Sequence, residues 1–274
     1  MSITVSSNSY ASSIANVLNK VTKDLNETSL RISTGKRILT AADDPAGISM
    51  AAKLNSDNSA YGVVKKNISS GLSLIEVSSK ALETTTGLID QMKKLAVEAS
   101  SDTLSTEQRA AVQATFLELQ GQLDDVVDNA TLFGKNLIGA AAASVDIQSG
   151  INAGNSTTIN VAQSDTATLG IDAATIDLTD VASSSAAITA LDTALTTVGT
   201  NQSILGAQQS GFNARIANID KLRENLEAAA TRIEGADLAE ETKKLSLLQT
   251  QQQLAIQTLS IANSFPQAAL QLLR

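Results

Sequence analysis

Leu238–Ala262 reads LAEETKKLSLLQTQQQLAIQTLSIA. Leu238, Glu241, Leu245, Leu248, Gln252, Ala255, Leu259 and Ala262 follow one another in steps of three and four. A mean step of about 3.5 residues lays one seam along a helix face and suits coiled-coil packing. Leu247, Leu254 and Ile261 add a second line at heptad spacing. A helix apolar on two sides needs neighbours on two sides. One partner helix cannot supply both, so other subunits are expected to complete the burial. Pro266 follows, and Leu270, Leu272 and Leu273 extend the apolar surface towards the end.

The opposite end carries the complement. After a polar Met1–Ser13, a seam runs Ile14, Leu18, Val21, Leu25, Thr28, Ile32 until Gly35, a permissive helix stop. The first and last helices have matching length and matching need, so they are expected to pair. Lys36–Gly47 is a connector whose Asp43-Asp44-Pro45 predicts a turn and a helix start, with Asp44 as N-cap and Pro45 at the first helical position. Two carboxylates alone do not make a metal cage.

Inside these ends lie three more helical runs. One extends from Pro45 to about Ser100, roughly 80 Å at about 1.5 Å per residue. Ile75, Leu82, Ile89 and Ala96 recur in heptads along it, beside Leu74, Ala81, Leu88 and Leu95, a stripe wide enough for two neighbours. Ser105-Thr106-Glu107-Gln108 fits a capping box and starts the next, with Val112, Phe116, Leu119, Leu123 and Val126 inward and an end near Asn129. The third carries Ile188, Leu191, Leu195, Val198, Gln202, Leu205, Gln209, Phe212, Ile216, Ile219, Arg223, Leu226, Ala230 and Ile233. Its two Gln and one Arg are expected to set register or lie at an edge. Gly235 marks a phase slip before the last seam.

Between Lys135 and Arg215 there is no Lys or Arg, and the acids are all Asp. Val145–Ile147, Thr157–Val161 and Thr175–Leu178 alternate or are β-branched, which predicts short strands or hairpins. This segment is expected to be a small exposed excursion: a solvated loop with weak strands, or an outward Ser/Thr surface open to glycosylation. The fold class is therefore mainly α: long coiled-coil helices from both ends, an inner helical bundle, and a small β-hairpin-containing excursion. The expected segments are 1–40 and 235–274 for the terminal coiled coil, 41–139 and 186–234 for the bundle, and 140–185 for the excursion.

Composition removes most chemistry. The chain has no His, Cys or Trp, and aromatics are 2 % of its 274 residues. Thiolate nucleophiles, disulfides, imidazole bases and the usual zinc ligands are absent. No phosphate-binding Gly-rich loop or metalloprotease motif occurs. Asp124/Asp125 and Glu240/Glu241 are consecutive acids on helices, which diverge by about 100° and do not face each other. No enzyme and no cofactor are expected. A net charge of −8 with few aromatics argues against nucleic acid. No apolar run approaches the roughly 20 residues of a membrane span. Met1–Asn19 holds no basic residue, so a secretory n-region is not seen.

Several stretches resemble the bacterial flagellins. Ser29-Leu30-Arg31-Ile32-Ser33-Thr34-Gly35-Lys36-Arg37-Ile38, continuing as Ala41-Ala42-Asp43-Asp44-Pro45-Ala46-Gly47, resembles the N-terminal signature. Arg232-Ile233-Glu234-Gly235-Ala236-Asp237-Leu238-Ala239-Glu240-Glu241 resembles a second, and Asn263–Leu273 the terminus. The resemblance covers about Met1–Gly139 and Ala186–Arg274. It implies a structural subunit of the extracellular flagellar filament, exported through the flagellum's own channel without a cleaved signal. Terminal helices would form an inner coiled-coil tube and the inner helices an outer tube, with the middle facing solvent. Implied partners are further copies of the chain, the flagellar cap, the junction protein, an export chaperone and the export apparatus. On this reading Leu18, Val21, Leu25, Leu245, Leu248 and Leu259 are the expected inner subunit contacts.

Two departures stand out: Leu39 where members often carry Asn, and Gly235 where they often carry Asp. Asp90–Glu98 corresponds to the stretch recognised by the vertebrate innate flagellin receptor, and Leu95, Ala96 and Val97 fit it. Gln91 stands where receptor-active members carry Arg, and Lys94 where they carry Glu. Losing the guanidinium fork loses bidentate bonding, so only weak receptor binding is implied. The runner-up functions are the hook–filament junction protein and a secreted membrane-active helical protein. Polar faces on the terminal helices favour helix–helix packing over insertion.

Overall fold

The computed structural model describes residues 9–160 and 162–272, with side chains to residue 264. Its elements are α1 (Ser9–Thr34), α2 (Pro45–Ala99), α3 (Thr106–Asn129), β1 (Thr131–Leu132), β2 (Lys135–Asn136), β3 (Val145–Gln148), β4 (Ser156–Ile159), α4 (Thr166–Leu169), α5 (Val181–Glu234) and α6 (Leu238–Leu272). α6 continues as helix past Pro266; Leu273 lies outside the described residues, as does most of the N-terminal polar stretch. The chain divides into two compact units, one of residues 1–56 with 225–274 and one of residues 57–224.

In the second unit α2, α3 and α5 surround a continuous core. Ile75, Leu82, Ile89 and Ala96 of α2 are fully buried with Phe116, Leu123 and Val127 of α3 and Leu191, Val198 and Leu205 of α5. The heptad positions sit inside because they share one face. Two of the polar seam residues find partners: Gln202 Nε2 donates to Thr86 Oγ1 at 3.3 Å, and Arg223 Nε to Asn58 Oδ1 at 3.0 Å. Ser and Thr are tolerated within α2 and α5 because their hydroxyls donate one turn back, as Ser78 does to Leu74 O and Thr85 to Ala81 O. α3 begins at the Ser105/Gln108 capping box, both halves of which are made.

The middle segment meets its expectation in part: short strands form at Val145–Gln148 and Ser156–Ile159, over two of the three stretches expected to hold them. Two short antiparallel hairpins form, β1–β2 and β3–β4. The first has no alternation to announce it. Thr175–Leu178 is not a strand: Asp172 Oδ1 accepts from the N–H groups of Ala174 and Thr175, and from the Thr175 hydroxyl. This side-chain turn satisfies the backbone locally and removes the incentive to pair. Val161 of the expected strand Thr157–Val161 is outside the described residues. The segment is also not a solvated loop throughout. Ile159, Ala162, Leu169, Ile171, Ile176 and Leu178 are buried in the bundle core. Asp124 Oδ1 and Oδ2 accept from the Thr166 N–H and hydroxyl at 2.9 and 2.7 Å, and Gln113 Oε1 accepts from Leu178 N at 2.8 Å. These bonds tie the returning chain to α3.

Two α2 glycines have opposite surroundings. A Cβ on Gly71 would lie 3.0 Å from Ile147 Cγ1, 3.1 Å from Phe212 Cε1 and 3.2 Å from Ile159 Cδ1, where β3–β4 packs on the helices. A Cβ on Gly87 meets nothing within 4 Å. Gly87→Ala is expected to stabilise the protein by about 0.8–1 kcal/mol through helix propensity, while crowding cancels that gain for Gly71→Ala. Urea unfolding of both variants checks this; equal stabilisation would refute it.

Candidate functional site

In the first unit α1 and α6 lie against each other. Gln252 Nε2 donates to Thr22 Oγ1 at 3.3 Å, and Arg31 Nη1 sits 3.8 Å from Glu241 Oε1. Rising numbers on one helix match falling numbers on the other, so the pair is antiparallel. Val21 and Leu248 are buried in the seam, Leu18, Leu25, Leu245 and Leu259 are half-buried, and Ala255 and Ala262 are buried beside them. All six expected contact residues thus face the seam within one chain. The second line is bare: Leu247, Leu254 and Ile261 are 57 %, 57 % and 56 % exposed. Ile256 joins them on α6, and Val17 and Leu30 are exposed on α1.

The two signature stretches meet at the end of this pair. Lys36 and Gly235 form an antiparallel bridge, with Arg37 N donating to Glu234 O at 2.6 Å and Ala236 N to Gly35 O at 2.9 Å. Gly35 can end α1 because its φ of 69° suits a residue without Cβ. Arg37 Nη2 donates to Ile233 O at 3.0 Å, capping the last turn of α5. Lys36 Nζ donates to Glu234 Oε2 at 2.9 Å. That bond holds the Glu234 carboxyl below its ordinary range; burial opposes the shift and a bond from Asn55 assists it. Asp43 Oδ2 accepts from Thr40 N and Leu39 N, bonds that lower its pKa likewise. Leu39, the departure from Asn, therefore contributes its backbone N–H here. Asp44 Oδ1 accepts from Gly47 N at 2.9 Å and caps α2. A Cβ on Gly47 would come 2.8 Å from Ile38 Cδ1, and one on Gly235 would collide with the Thr231 carbonyl oxygen. Asp237 Oδ1 accepts from Ala239 N at 2.9 Å at the start of α6.

In the second unit, Asp90, Lys93, Lys94 and Val97 of α2 border a shallow hollow of about 460 Å³. Gln91, Lys94 and Val97 are exposed, Leu95 is half-buried, and Ala96 is buried in the bundle core. Ala96 is therefore a packing residue, unable to touch an external partner. Lys93 is paired with Asp192. Among the described residues no three acids gather at metal-binding distance, and no helix is long and apolar enough to cross a membrane.

Residues 5–143 match the bacterial flagellin N-terminal helical region, and residues 188–273 match the bacterial flagellin C-terminal helical region. The chain belongs to the bacterial flagellin family. It is 32 % identical over 270 residues to flagellin FljO of Caulobacter vibrioides, covering 98 % of each chain. It is 31 % identical over 244 residues to a flagellin of Halalkalibacterium halodurans, covering 89 % of this chain and 90 % of that one. The crystal structure of Bacillus cereus flagellin shares the fold, with a TM-score of 0.50 at 22 % identity over 56 % of this chain and 88 % of that one. This flagellin is accordingly a structural subunit of the extracellular flagellar filament, and it polymerises with itself.

For this flagellin, the exposed residues Val17, Leu30 and Ile256 escaped the seam-based reading. All three lie beside the seam rather than on it, and a search for apolar residues off the seam would have found them. Phe133, on the β1–β2 turn, carried no periodic signal at all.

Proposed function

We propose that the antiparallel terminal pair is the assembling element of this filament subunit. The six seam residues hold α1 on α6, and the bare line Leu247, Leu254, Ile261 meets neighbouring copies. The observation that carries this reading is that line's heptad spacing together with its exposure in one chain. Isolated exposed leucines are ordinary, whereas three large apolar side chains repeated at heptad spacing along one helix line mark a docking face. On the same reading 1–40 and 235–274 form the inner tube, 41–139 and 186–234 the outer tube, and 140–185 faces outward. Cap, junction protein, export chaperone and export apparatus would be its further partners.

The triple variant L247S/L254S/I261S tests the proposal. Each side chain is already about half buried, so removing the remaining gain costs about 2–5 kcal/mol per subunit in total. The critical concentration for polymerisation, read by sedimentation, is expected to rise about 30-fold or more. An unchanged value would sink the reading.

Recognition by the vertebrate innate flagellin receptor is proposed to be weak. Gln91 and Lys94 are exposed where a partner would reach them, and neither supplies the guanidinium fork and carboxylate of receptor-active members. Gln91→Arg is expected to raise receptor activation severalfold in a reporter assay at matched monomer concentration. No gain would remove the argument from the missing fork.

A further inference from the structure

β1 and β2 pair Thr131 with Asn136 and Leu132 with Lys135, leaving Phe133 and Gly134 as the whole turn. Both are left-handed, with φ of 53° and 69°. A two-residue hairpin turn with positive φ at both centres favours Asn-Gly, because Asn tolerates that region and bulky side chains do not. The Phe133 ring is also 74 % exposed, more than any other large apolar side chain among the described residues. Turn chemistry disfavours a phenyl group there, and the core of its own subunit makes little use of it.

We propose that Phe133 is an assembly knob that seats in the hollow between Asp90, Lys93, Lys94 and Val97 of a second copy of this chain. The inference rests on self-polymerisation, and does not need the terminal-pair contacts. An open helical polymer is built from heterologous contacts, in which one patch of a subunit meets a different patch of the next. A protruding ring and a separate hollow are such a pair. The hollow lies on the last turns of α2, whereas the 24 residues of α3 carry the chain about 35 Å before Phe133 is reached. The ring therefore cannot fill the hollow of its own subunit. Val97, 51 % exposed, offers an apolar wall. Lys94 is exposed and, unlike Lys93, makes no ion pair among the described residues, so its ammonium can sit over the ring face. Lys93 is held aside by Asp192, which keeps the hollow open.

Phe133→Asn in the full chain separates this role from a structural one. Asn suits the turn, so the monomer should melt at or above the parent temperature. Loss of an aromatic anchor should raise the critical concentration about tenfold or more. Val97→Ser should raise it too, and F133N/V97S should be no worse than the stronger single variant, since both remove the same contact. A lower melting temperature for F133N, an unchanged critical concentration, or effects that multiply in the double variant would each overturn the proposal. If L247S/L254S/I261S blocks assembly while F133N does not, the terminal contacts stand and this one falls.

Discussion

Replacing Leu248 and Leu259 together with Asn is expected to abolish filament formation while leaving the melting of the helical bundle unchanged. Leu248 is 6 % exposed and Leu259 half-buried in the α1–α6 seam. Removing a buried Leu costs about 2–5 kcal/mol, and a buried amide without a partner adds about 1–3 kcal/mol. The seam has little to offset that loss: its central buried residues are Val21, Thr28, Leu248, Ala255 and Ala262, only some of them large. Separated helices would no longer present the outward line in register, so assembly should fail. The bundle has its own core, from Val64 to Ile219, which contains neither substituted residue. Electron microscopy after seeding, with circular dichroism melting of the same samples, checks both halves. Normal filaments would show that the seam does not organise assembly, and a lowered bundle transition would show that the two cores are energetically joined.

Phe116→Ala should do the reverse. Phe116 is fully buried between the long helices, and Phe-to-Ala truncation in a core costs about 3–5 kcal/mol. For a unit of this size that lowers the melting temperature by about 6–20 °C. Filaments should still form below the new transition, because the ring lies at no surface. Leu117, its neighbour, is 41 % exposed, and Leu117→Ser should change stability by at most about 0.5 kcal/mol. Equal effects at the two positions would contradict the helix phase described for α3.

The long helices were legible in the sequence because burial there follows a period. Every α5 position assigned to the seam, from Ile188 to Ile233, is buried or half-buried. Capping was legible for the same local reason: Asp44 and Ser105 bond to the N–H groups three residues on. The middle was less legible. Its Ser, Thr and Asp content suggested solvent, yet those side chains serve as turn staples, as Asp172 and Asp180 do for Thr175 and Ser183. Stapled turns let Ile171, Ile176 and Leu178 reach the core without any regular strand. No periodicity records such an arrangement.

The candidate assembly site divides in the same way. The heptad seams by themselves predicted that the two ends pair, as α1 and α6 do, and the doubled apolar line on α6 predicted a second face that one partner helix leaves uncovered. Which line stays bare was a tertiary outcome. In one chain α1 covers the Leu248 side of α6 and leaves Leu254 exposed, because a two-helix contact can bury only one stripe of each helix. The joint was likewise decided in three dimensions. Its two signature stretches lie some 200 residues apart, and only the antiparallel closure of α1 on α6 brings Lys36 to Glu234 and Gly235.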